Sequence, residues 1–160
     1  MKYFTISEMI HSATAVARRI WNGCGRNEED NLTALIENVL DPARERYGKA
    51  IHVSSGFRSA ELNRIVHGSQ GSQHLLGMAA DVYTDAGPEG NLELARVIAI
   101  NGRYDQMILE DVTPGGLKPK WVHVSWNRHG RNRRQILKMV YRGNTATYQS
   151  LSESEKKLFG

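Results

Sequence analysis

One cysteine, Cys24, serves the whole of a 160-residue chain. No disulfide can close within it, and no cage of thiolates can hold a metal. The fold must rest on a hydrophobic core, and any metal on nitrogen and oxygen ligands. The chain is long enough to bury such a core as one compact domain over residues 1–160. Its apolar and charged fractions, 40% and 24%, belong to a globular chain and not a disordered one. Cys24 lies in Asn22-Gly23-Cys24-Gly25, a turn-like stretch, and reads as a passive thiol.

Apolar periodicity then sets the elements. A short helix opens near Thr5-Ile6-Ser7-Glu8, and a second covers Thr14–Arg19. Gly23–Glu29 reads as a loop. From Asp30, the residues Leu32, Leu35, Ile36, Val39 and Leu40 recur at helical spacing toward Tyr47, with Pro42 predicting a kink or break. Strands are expected at Ile51–Ser54, Ala79–Tyr83, Tyr104–Glu110 and Trp121–Trp126. Helices are expected at Ala60–His67 and Pro88–Asn101. Pro114-Gly115-Gly116 signals a long hairpin connection. Ile136–Tyr141 satisfies a strand or a helix equally. Ser152 caps a short polar helix to Phe159, with Glu155 completing a capping box. The sum is an α+β fold: a small, mostly antiparallel sheet with helices packed on it.

Three segments carry the chemistry. They are Ser72-Gln73-His74-Leu75-Leu76-Gly77-Met78-Ala79-Ala80-Asp81, Tyr104–Glu110 and Trp121-Val122-His123-Val124-Ser125. Catalytic zinc takes three imidazole or carboxylate ligands and one open position. His74 precedes a glycine turn, and Asp81 lies in the strand that follows. Gly77 permits the tight return, and Ala79 and Ala80 allow close backbone packing. Strand alternation puts Trp121, His123 and Ser125 on one face. Glu110 ends the strand that pairs back to His123, so a hairpin would bring its carboxylate to the same face.

These segments resemble a known family. Ser72-x-His74-x-x-Gly77-x-Ala79-x-Asp81 is similar to the SxHxxGxAxD signature of zinc D-Ala-D-Ala carboxypeptidases. Trp121-Val122-His123 resembles their second motif, and Ser55-Gly56-Phe57-Arg58 resembles their SGYR segment. The resemblance runs from about Phe4 to Trp126. It leaves a basic loop and C-terminal tail over 127–160. The family comprises murein peptidases of the hedgehog/D-Ala-D-Ala peptidase-like fold, including D,D-carboxypeptidases, dipeptidases and phage endolysins that cut L-Ala-D-Glu bonds. The resemblance implies one zinc ion on His74, Asp81 and His123. It implies that Arg58 holds a substrate carboxylate and that Ser72 sits beside the substrate. In many relatives the catalytic acid lies three residues before the last His. Here that position is Lys120, which cannot serve as that base. A subgroup with a QLI-x-E strand is matched by Gln106-Met107-Ile108-Leu109-Glu110, which assigns the base to Glu110, with Asp111 and Asp105 as fallbacks.

The expected partner is a peptidoglycan stem peptide, cut by a monomer. Net charge is +4 and the sequence pI about 9.3, so polyanions attract it. Arg128–Arg134 is the best case for nucleic acid, yet it lacks interleaved aromatics. A solvated basic patch drawn to anionic cell wall is more economical. A non-catalytic zinc-containing binding module of the same fold is the other alternative. Glu8 and His11 break the N-terminal apolar residues, so no signal peptide is read, and no stretch reaches transmembrane length. The expectation is cytoplasmic synthesis and release onto the cell wall. Bacterial and phage origins both fit, with the small size leaning to a phage or prophage lysis product.

Overall fold

The computed structural model describes all 160 residues. Two short helices come first, α1 (Ile6–Ile10) and α2 (Ala13–Arg18), each capped by a hydroxyl: Thr5 accepts from the Glu8 N–H and Ser12 from the Ala15 N–H. Helix α3 (Arg26–Leu35) starts earlier than the apolar stripe predicts. Glu28 and Glu29 in its first turn suit the positive end of the helix dipole, so the charged residues before Asp30 extend the helix rather than a loop. A single π turn, Ile36–Leu40, then leads directly into α4 (Asp41–Tyr47). Pro42 has no N–H for the α ladder, and the widened turn absorbs the mismatch without breaking the helix. Leu32, Leu35, Ile36, Val39 and Leu40 are all at most 2% exposed, each worth roughly 1.5–3 kcal/mol of burial.

The remaining elements build one sheet. They are β1 (Ile51–Ser55), α5 (Ala60–Ile65), a 3-10 turn at Gln73–Leu76, β2 (Ala79–Thr84) and α6 (Gly87–Asn101), followed by β3 (Gln106–Glu110), β4 (Trp121–Ser125), β5 (Gln135–Arg142), β6 (Thr145–Ser150) and α7 (Glu153–Lys156). The strand order is β1-β2-β4-β3-β5-β6. Every pairing is antiparallel except β3 with β5. This is the α+β design expected. The long hairpin joins β3 to β4, and the capping box at Ser152 forms. Ile136–Tyr141 resolves as part of a strand. A sixth strand, β6, has no counterpart in the expected elements. Strand β3 begins at Gln106 rather than Tyr104, although the Asp105 backbone still donates to the Ser125 carbonyl and accepts from the Gln135 N–H.

Alternation gives the sheet two unlike faces. Ala80, Val82, Met107, Leu109, Val122 and Val124 point into the core under the α3–α4 helix and α6. Asp81, Ile108, Glu110, Trp121 and His123 point the other way and line a cleft of about 1050 Å³. Asn91 of α6, 1% exposed, accepts from the Thr84 N–H and donates to the Pro119 and Lys120 carbonyls. It thereby ties the β3–β4 connection to β2 and fixes where Glu110 and His123 meet.

A candidate metal centre

Asp81 and His123 are direct partners across the β2–β4 ladder, so their side chains share a face. His74 reaches the same point from the 3-10 turn. Ser72 caps that turn, its hydroxyl accepting from the His74 N–H at 3.2 Å. Gly77 closes it at φ +71, and a Cβ there would lie 2.5 Å from the Glu28 carbonyl oxygen, so glycine is required on two counts. The buried Ala79 and Ala80 follow at once.

The three side chains converge. Asp81 Oδ1 lies 3.0 Å from His123 Nδ1 and 3.3 Å from His74 Nε2. The candidate ligand atoms all fall within 4.8 Å of one another. His74 Nδ1 donates to the Gly56 carbonyl at 2.7 Å, leaving Nε2 to face Asp81. Gly56 has no room for a side chain, since a Cβ would meet the Met9 carbonyl oxygen at 2.1 Å. Burial alone would raise the Asp81 pKa. The His74 charge and the His123 hydrogen bond overcome it and hold the carboxylate far below its usual range. Tetrahedral zinc spaces its nitrogen and oxygen donors about 3.4 Å apart, which two imidazoles and one carboxylate at these separations match. The donor set therefore fits a divalent metal.

Arg58 stands behind the cluster. Its Nη2 donates to Asp81 Oδ2 at 3.2 Å, its Nε to Ser55 and its Nη1 to Asn63. It also lines the cleft, so it orients a candidate ligand while keeping two N–H groups uncommitted. Ser72 lines the cleft too, although its hydroxyl is engaged as the cap.

Glu110 lies in the same cleft, 7% exposed. Burial, with the Asp81 charge added, pushes its pKa up to about 7 against the opposing His123 and Arg58 charges. The two fallback acids are placed otherwise. Asp105 accepts three hydrogen bonds from Arg133 and one from Gln73. Asp111 pairs with Lys120 at 2.6 Å. The basic loop is exposed to solvent, with two of its arginines tethered to the body of the protein. Arg128 is bound to Asn27 and Asn31, and Arg133 to Asp105, because the loop folds back onto α3 and the start of β3.

Sequence reasoning missed the Gly56 carbonyl, whose signal was the glycine beside Arg58. It also missed Tyr141 and Tyr148 in the cleft wall. Their alternation with Met139 across two short strands was the available signal.

A mostly antiparallel sheet whose open face sets an aspartate and a histidine beside a second histidine from an adjoining turn, next to a buried glutamate, has the make-up of a metallopeptidase. The Peptidase M15 family model matches residues 2–125, and the chain belongs to that zinc-dependent peptidase family. Comparison with curated proteins finds no match. No helix is long and apolar enough to cross a membrane.

Proposed function

We propose that the protein is a zinc peptidase that hydrolyses peptide bonds in peptidoglycan stem peptides, acting on the cell wall after release from the cell that makes it. The observation that carries this is the convergence of His74, Asp81 and His123 within 4.8 Å in one cleft with Glu110. These three residues would hold the ion. Zinc in that position lowers the pKa of a water and polarises a peptide carbonyl.

The chain's own groups do the rest. Glu110, poised near neutrality by burial, accepts a proton from the attacking water as its oxygen bonds to the carbonyl carbon. When the C–N bond breaks, protonated Glu110 returns that proton to the leaving amine. Arg58 keeps Asp81 oriented and turns its remaining N–H groups toward a carboxylate of the substrate. Ser72 holds the His74 turn in register at the cleft edge.

The test is mass spectrometry of stem-peptide digests, with and without a chelator. Discrete products that vanish on chelation and return with zinc are expected. Intact peptide beside a zinc-saturated protein would refute the reading and leave a non-catalytic zinc module.

A further inference from the structure

Strands β5 and β6 lie beyond the residues that the M15 model matches, yet they build a large part of the cleft. Leu137, Met139 and Tyr141 alternate onto the cleft face of β5, and Ala146 and Tyr148 onto that of β6. The registers fix where Tyr148 stands. Glu110 pairs with Trp121 on one side. On the other, Leu109 pairs with Lys138, which sets Met139 beside Glu110, and Met139 pairs with Tyr148. A row of Trp121, Glu110, Met139 and Tyr148 therefore crosses four strands, one residue from each. Strands stand about 4.8 Å apart, so Tyr148 is two spacings, about 10 Å, from Glu110 at the backbone.

Met139 is 2% exposed while Tyr148 is 56% exposed and Tyr141 49%. Met139 is thus covered, while the two tyrosines keep open surface facing the cleft. Two exposed tyrosines on the cleft face of one hairpin leave ring surface, with a polar tip, open to a ligand. The phenol of Tyr148 also senses the site: after burial, the Glu110 and Asp81 charges contribute to raising its pKa.

Charge divides the cleft. Arg58, Asp81, Glu110 and Arg133 lie on the side of the candidate metal ligands or at the loop edge. The hairpin's contribution, including Asn144 at its turn, contains no charged group. A neutral, partly aromatic surface continuous with a reacting centre suits an uncharged portion of a peptide. Tyrosine rings offer such contact at low entropic cost.

We propose that Tyr148 and Tyr141 form an aromatic subsite that holds an uncharged residue of the substrate peptide next to the bond being cut. It rests on the peptidase reading, and it makes the hairpin a determinant of specificity through ring contact.

The test uses the zinc-loaded full chain and a synthetic stem pentapeptide. Tyr148→Ala and Tyr141→Ala are each expected to raise KM about tenfold with kcat within about threefold of wild type. Tyr148→Phe, which keeps the ring, is expected to stay within about twofold. Calorimetric binding of the same peptide to Glu110→Gln should weaken about tenfold when Tyr148→Ala is added. An unchanged KM in both alanine variants overturns the proposal. So does a phenylalanine variant as impaired as alanine, because the contact would then be made by the hydroxyl. Should Tyr148→Ala fail to fold, Tyr141→Ala carries the same test. Absence of turnover in the wild type refutes the peptidase reading alone. The calorimetric comparison then decides the subsite: weaker binding supports it, and unchanged or absent binding overturns it.

Discussion

Two carboxylates bracket β3, and they live in opposite surroundings. Asp105, just before the strand, accepts from the Arg133 side chain and backbone and from Gln73. The Arg133 hydrogen bonds outweigh its burial and hold its pKa down to about 2. Glu110, at the far end, is also little exposed but has no cation paired to it; Lys120, the nearest in the ladder, is bound to Asp111. Burial and the Asp81 charge lift Glu110 to about 7. One strand thus carries a locked acid and a titratable one. Burial dominates at Glu110 and the Arg133 hydrogen bonds at Asp105, and the difference separates an acid free to move protons from one that holds structure.

The sharpest way to break this contrast is Glu110→Gln. It keeps shape and removes the proton acceptor. Turnover of a stem peptide should fall about 10²–10⁴-fold, while zinc content by atomic absorption stays at the wild-type level. Loss of zinc together with activity would move Glu110 into the metal's ligand set.

Stability against pH sharpens it further, with opposite signs at the two ends. Glu110 has a folded pKa above its unfolded 4.5. Its contribution is fully present below that value and is lost as pH rises through about 7, by at most about 3 kcal/mol. In chelated protein, Glu110→Gln should therefore gain stability over wild type between pH 5 and pH 8 in urea titrations. Asp105 has a folded pKa below its unfolded 3.8. Its contribution is present above that value and is lost as pH falls toward about 2, by at most about 2 kcal/mol. Asp105→Asn should flatten the acid limb of the same curve and leave kcat nearly unchanged. A matching slope in both variants would erase the distinction.

How much of this was legible beforehand follows the range of the forces. Local patterns revealed the Leu32–Leu40 stripe, the strands at Ala79 and Trp121, and the hairpin that brings Glu110 back toward His123. Turn chemistry placed Gly77 correctly, because a residue at positive φ against the Glu28 backbone leaves little choice. What escaped depends on distant pairing. Strand β6 is mostly exposed, and Ala146 and Tyr148 give its cleft face only a weak alternation; it exists because β5 offers an edge. Asp105 looked available as a base because its partner Arg133 lies in a loop read as solvated. Arg58 was read as facing substrate, since nothing local announces its bond to Asp81.

The smallest effect concerns Ser72, which caps the turn that presents His74. Its hydroxyl holds the His74 N–H at 3.2 Å, while Gly56 holds the ring and Gly77 the exit. Removing one of three restraints costs a cap, about 1 kcal/mol, and leaves the histidine in place. Ser72→Ala should therefore lower the melting temperature by a few degrees and weaken zinc retention only slightly in a chelator competition. KM for the stem peptide should hold steady. If KM instead rises steeply while zinc retention is unchanged, Ser72 contacts the substrate itself, and its bond within the turn is the resting arrangement of a hydroxyl that changes partner on binding.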